Sequence, residues 1–200
     1  MNILEKIKTE RVFFDGGFGS LLQAQGLKPG EFPERWNITH SQIVTSIHTD
    51  YLNCGCDIIT ANTFGANCLK FADDELEEII KSAINNAKTA IKNSGKNAAV
   101  ALDLGPTGKL LKPMGDLPFE EAVDVFKKTV SYGKKYGADL ILIETMSDTY
   151  EIKSAVLAAK ETCDLPVMVT LTFAGDNKTM YGTTPEAAVV VLQSLGADAV

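Results

Sequence analysis

Three times along this chain a helical stretch runs into the same short phrase: glycine, a small residue, aspartate, then apolar residues. The phrases open CGCDIITANTF (54–64), YGADLILIETM (136–146) and SLGADAV (194–200). Before them lie SQIVTSIHTDYLN (41–53), FEEAVDVFKKTVSYGKKY (119–136) and PEAAVVVLQSL (185–195), all of which read as helical. Gly55, Gly137 and Gly196 therefore stand where a helix C-terminus favours a residue tolerant of positive φ. Two variants fill the gaps. NSGKNAAVALDLGP (93–106) follows the helical ELEEIIKSAINNAKTAIK (75–92), and CDLPVMVTLTF (163–173) follows TYEIKSAVLAAKE (149–161).

The segments RVFFD (11–15), DIITA (57–61), AAVALD (98–103), DLILIE (139–144) and PVMVTLT (166–172) are short and almost continuously apolar. Strands covered on both faces look like this, whereas a half-exposed strand alternates. Strand, loop and helix repeated without a hairpin signal means α/β with parallel strands. An open doubly wound sheet and a closed (β/α)8 TIM barrel both satisfy that pattern. The first strand lacks the GxGxxG of a dinucleotide-binding sheet, and polar residues gather at the C-terminal ends of several strands. They are Asp15, Asn62 and Thr63, Asp103, Glu144, and Thr170 with Thr172. The barrel is the expectation. Five strands and the start of a sixth near Asp198 imply one domain over 1–200, a barrel truncated here to about its first six strands.

A net charge of −7 and a pI near 4.9 argue against a nucleic-acid surface. The acidic run DDELEE (73–78) reads as a solvated first helical turn. No apolar stretch reaches the roughly 18–20 residues of a membrane span, and MNILEKIKTER is too charged for a signal peptide. Cys54, Cys56, Cys68 and Cys163 form no CxxC pair and read as reduced thiols of a cytoplasmic protein.

Several segments could carry chemistry. FFDGGFGS (13–20) sets an acid before glycines that let a ligand approach the backbone, either as a substrate loop or as a turn in which Asp15 caps a helix from Phe18. ANTFGAN (61–67) presents Asn62, Thr63 and Phe64, as a ligand-facing loop or as a local turn with Phe64 in the core. DLGPTGKL (103–110) reads chiefly as turn chemistry shaping the mouth. Glu144 ends a buried apolar run and needs a cation, which a substrate ammonium or a basic side chain would supply. Asp148 reads as a helix cap, as does Thr184 before Pro185, although GTTPEAA (182–188) could also offer N–H groups to an anion. His48 and Tyr51 share a helix face, so packing or a hydrogen bond suits them better than catalysis, and His40 reads as a surface residue. No cysteine has a base beside it in sequence. Cys68 suits burial, and Cys54 and Cys56 belong to the bottom of a barrel.

Taken in order, DGGFGS, ERWN (34–37), HTDY (48–51), ANTFGAN, DLGPTG, IETMSD and GTTP resemble the homocysteine S-methyltransferase family over roughly residues 10–200. The resemblance is closest to the homocysteine-binding modules of its cobalamin-dependent members. It implies a (β/α)8 barrel that binds homocysteine at its C-terminal face and methylates the sulfur, with Zn2+ on three cysteine thiolates activating the thiol. By position, Asp15 and Glu144 match the acids that hold the amino group. Gly16, Gly17 and Phe18 match the loop against the substrate, and Asn62, Thr63 and Phe64 match the second loop.

The family's zinc cysteines lie in motifs after strands six and eight, beyond Val200, and no cysteine here matches one. The resemblance therefore implies Zn2+ without its ligands in this chain, which alone would be inactive. Cobalamin and methyltetrahydrofolate would act through other modules of a complete protein, whose partners are homocysteine and the methyl donor. A non-catalytic homocysteine-binding fragment or scaffold is one alternative. Another TIM-barrel enzyme is the other, though it would want a strand-end lysine or a phosphate loop.

Overall fold

The computed structural model describes residues 3–200. Its elements run α1 (Ile3–Thr9), α2 (Phe18–Ala24), a 3-10 turn (Pro33–Arg35), α3 (Trp36–Thr39), α4 (Ser41–Cys54), β1 (Ile58–Thr60), α5 (Asp73–Ser94), β2 (Ala99–Leu104), α6 (Phe119–Tyr136), β3 (Leu140–Met146), α7 (Thr149–Thr162), β4 (Val167–Leu171) and α8 (Pro185–Ser194). The repeated phrase does what its residues suggest. Gly55 and Gly137 end α4 and α6 at φ of 99° and 83°, and Gly196 follows α8 at 87°.

The aspartates of the phrase share a second task. Each accepts a backbone N–H at the start of the preceding strand: Asp57 from Phe13 (2.9 Å), Asp139 from Val100 (2.8 Å) and Asp198 from Val167 (2.8 Å). One residue type thus pins neighbouring strands together at their N-terminal ends.

The strands lie parallel in the order β1-β2-β3-β4. Isolated parallel bridges, Phe14 to Ile58 and Met168 to Ala199, extend that order at either edge. The order never reverses, whereas a doubly wound sheet reverses at its switch point. The sheet is an arc of a barrel wall, with α5, α6 and α7 packed outside. The predicted first strand, RVFFD, shrinks to the single bridge at Phe14, because the chain leaves the sheet at Asp15 and enters the glycine loop.

Alternation along the strands sorts the core into two layers. Ile59, Val100, Leu102, Ile141, Ile143, Val167 and Val169 face the helices. Ile58, Ala99, Ala101, Leu140, Leu142 and Met168 face inward, where Ile3, Leu4 and Ile7 of α1 cover them. Helix α6 rests so closely on β2 that a Cβ on Gly133 would fall 2.4 Å from the Leu102 side chain. Continued by two residues, the inward parity reaches Thr60, Asp103, Glu144 and Thr170. The apolar floor therefore ends in a ring of polar residues at the C-terminal ends of the strands.

Candidate functional site

That ring borders a cavity of about 510 Å³. Asp15, Gly16, Gly17, Phe18, Asn62, Phe64 and Glu144, all singled out in the sequence, line it together. So do Asp103 and Thr170, expected at the mouth, Phe14 and Glu34, which stand within FFDGGFGS and ERWN, and Thr60. Among the lining residues are four carboxyl side chains and no Lys, Arg or His.

Asp15 is held by β1. Its carboxyl accepts the backbone N–H of Thr60 (2.8 Å) and the Thr60 hydroxyl (3.0 Å). It does not cap α2, whose N-cap is Gly17 without a side-chain bond. Burial outweighs the Thr60 bonds and, with Glu144 nearby, pushes the Asp15 pKa up to about 6. Tyr51 fixes the glycine loop from below, its hydroxyl donating to the Gly17 carbonyl (3.0 Å). A Cβ on Gly16 would lie only 3.1 Å from that hydroxyl. The expectation of packing or hydrogen bonding on this helix face is met, since the buried His48 packs at a tilt against Phe18 with ring centroids 4.8 Å apart.

Glu144 is half-buried where β3 departs from regularity. The pairing with β4 shifts register between Ile143 and Met146, and Thr145 takes φ 59°, unusual for a β-branched residue. The Thr145 N–H is held by the Thr170 hydroxyl (3.2 Å). Irregularities of this kind re-aim a side chain next to a site. Asp103 stands beside Glu144 and is only 5% exposed. Burial, reinforced by the Glu144 carboxyl, raises its pKa well above the carboxylate range.

The second loop is built from distant parts. Thr63 is fully buried behind the cavity wall, its hydroxyl donating to the Asp103 carbonyl (2.9 Å) and accepting the Asp103 N–H (3.1 Å). The Asn62 amide donates to the Pro33 carbonyl (2.8 Å), and the Asn37 amide donates to the Asn62 carbonyl (2.8 Å). Glu34, 5% exposed, accepts the Gly65 N–H (2.8 Å). Phe64 lies over Gly105, where a Cβ would fall 2.6 Å from its ring. DLGPTG thus shapes the mouth, and Thr107 donates twice to Glu151 behind it. Asp148 caps α7 through the Tyr150 N–H, and Thr184 caps α8 through the Ala187 N–H.

A thiolate zinc site does not fit these residues. None of the four cysteines lines the cavity, and Cys56 donates its S–H toward the Phe14 carbonyl (3.4 Å). Among the described residues no group of three or more His, Cys, Asp or Glu is arranged to hold a metal ion. Among them, too, no helix is long and apolar enough to cross a membrane.

The family model for homocysteine S-methyltransferase matches residues 12–200. The methionine synthase of Mycobacterium tuberculosis (strain ATCC 25618 / H37Rv) is 26% identical, covering 98% of this chain but only 18% of its own length. Two solved structures of the homocysteine methyltransferase MmuM from Escherichia coli share the fold at 16% identity. The metallated form superposes with a TM-score of 0.82 over 96% of this chain and 74% of that one. The oxidized form does so with 0.83 over 98% and 74%.

Proposed function

Because the chain belongs to the homocysteine S-methyltransferase family, we propose that its cavity holds the amino-acid end of homocysteine for methylation of the sulfur. The observation that carries this is the convergence of Asp15, from the loop held against β1, with Asp103 of β2 and Glu144 of β3 in a cavity lined by no basic side chain. Such a surface suits a cation, and an ammonium offers N–H donors that charged carboxylates accept strongly. Glu144 and Asp15 receive the ammonium. The backbone of Gly16 and Gly17 approaches the substrate carboxylate, and Phe18 and Phe64 cover the methylene chain.

This chain is assigned substrate positioning. Methylation forms a bond from sulfur to the methyl carbon while the donor keeps the electron pair, and the thiol proton must leave first. The cavity residues orient the thiol toward the mouth and contribute no thiolate or imidazole to that deprotonation. Zinc, cobalamin and methyltetrahydrofolate belong to the whole protein's reaction in this proposal, with the cytoplasm as its setting. Homocysteine binding without catalysis by these 200 residues is the form of the reading that the carboxyl-rich lining favours.

Titration calorimetry with L-homocysteine tests it. The account expects binding by the chain and at least a tenfold loss, in order of magnitude, for Glu144→Gln, which keeps shape and removes charge. Unchanged affinity in that variant would return Glu144 to a structural role.

A further inference from the structure

Asp103 and Glu34 are equally buried acids of the cavity, but Glu34 accepts the Gly65 N–H whereas Asp103 keeps a buried carboxyl oxygen without a partner. Thr63 clamps its backbone on both sides, so the direction of its side chain is fixed. The side chain enters the cavity at 5% exposure, and its Oδ1 has no hydrogen-bond partner. The charged or titratable groups that face it are Glu144 from β3, Asp15 from the edge of the sheet and Glu34 from the 3-10 turn. All are acids, and no Lys, Arg or His lines the cavity to offset them.

An ionised Asp103 would be a buried anion beside a second anion, with an acceptor atom left bare. That arrangement carries a large desolvation penalty. One proton removes the difficulty. A carboxylic acid is a donor as well as an acceptor, and the Glu144 carboxyl is the acceptor next to it. Two carboxyls so close share one proton and one negative charge, which is what a single ammonium needs opposite it.

We propose that Asp103 is a positioning residue: as a neutral carboxylic acid it donates its proton to the Glu144 carboxylate and so keeps that carboxylate aimed into the cavity. Asp103 acts through Glu144: its Oδ1 is shut off from solvent, and the group beside its carboxyl is that of Glu144. The inference rests on the reading that the cavity takes the ammonium of homocysteine. The carboxyl pair itself is a property of the ligand-free chain.

Two measurements separate the layers. The first is 13C NMR of the side-chain carboxyls in the ligand-free protein. Asp103 is expected to titrate well above an ordinary aspartate, and at lower pH in Glu144→Gln. A titration in the ordinary carboxylate range, or one indifferent to Glu144→Gln, would overturn the proposal whether or not the variants below fold. The second is calorimetry with L-homocysteine on the wild type, Asp103→Asn and Asp103→Leu. Asn keeps an N–H donor toward Glu144 and should bind within about threefold of wild type, whereas Leu keeps the bulk without the donor and should bind about tenfold more weakly. Equal affinities for the Asn and Leu variants would overturn the positioning role. No binding by the wild type would overturn the homocysteine reading, and with it the positioning role, while the NMR titration still decides the carboxyl pair.

Discussion

Asp15 shows how a single side chain can work against the fold that carries it. Its pKa stands at about 6 in the folded chain against an ordinary 3.8, because burial outweighs the two Thr60 bonds. The charged form is therefore disfavoured in the native state. Stability is undiminished below pH 3.8, falls as pH rises from there through about 6, and is lowest above it. The whole difference amounts to roughly 3 kcal/mol. Asp15→Asn should accordingly stabilise the ligand-free chain by roughly 1–3 kcal/mol at pH 7.5 and by little at pH 3.5, while weakening ammonium binding. Denaturant unfolding at the two pH values checks it, and an equal effect at both would contradict the buried charge. Gly105→Ala should go the other way, losing roughly 1–3 kcal/mol as its methyl meets the Phe64 ring. Asp15 and Glu144 were legible in the sequence because each ends an apolar run and so must stand above the barrel floor. Glu34 stood in the ERWN motif, but its role was not legible, because it depends on the Gly65 N–H 31 residues away.

At the scale of the elements, the repeated glycine–aspartate phrase does two jobs that composition alone conceals. The glycine stops the helix, and the aspartate holds the N–H that opens the strand before it. Asp139→Ala should cost roughly 1–2 kcal/mol, because the N–H it releases belongs to buried Val100 in the middle of the sheet. Asp57 divides its carboxyl between the Phe13 N–H and the Lys6 ammonium. Guanidinium unfolding of Asp139→Ala measures the cost, and unchanged stability would remove the strand-pinning role. The long helices were readable to within a residue or two, and α6 takes the predicted span 119–136. Their apolar faces recur at helical spacing, and their ends carry glycine or capping residues. The first strand was over-read, because RVFFD has strand composition but its chain turns away at Asp15. Helix α1 was not predicted. Ile3, Leu4 and Ile7 gain their meaning only from the inner floor they cover.

Over the whole molecule, an arc of parallel strands has two open edges, and apolar side chains are exposed near both. Phe13 is 58% exposed at one edge, and Val189 and Val200 are 44% and 54% exposed at the other. Sedimentation of this 200-residue chain should therefore show concentration-dependent association, and a monomer at all concentrations would contradict it. The barrel was legible because polar residues recur at one end of successive strands. Its chemistry was less so, because the cavity depends on which carboxyls meet, and Asp103 reaches Glu144 only once β2 and β3 are in register. The central claim is that Glu144 and Asp15 read an ammonium group. It is tested most directly by comparing L-homocysteine with 4-sulfanylbutanoate, the same molecule without its amino group, by titration calorimetry at pH 7.5. The account predicts binding of homocysteine and at least a tenfold weaker interaction, in order of magnitude, for the analogue. Equal affinity for the two would contradict it.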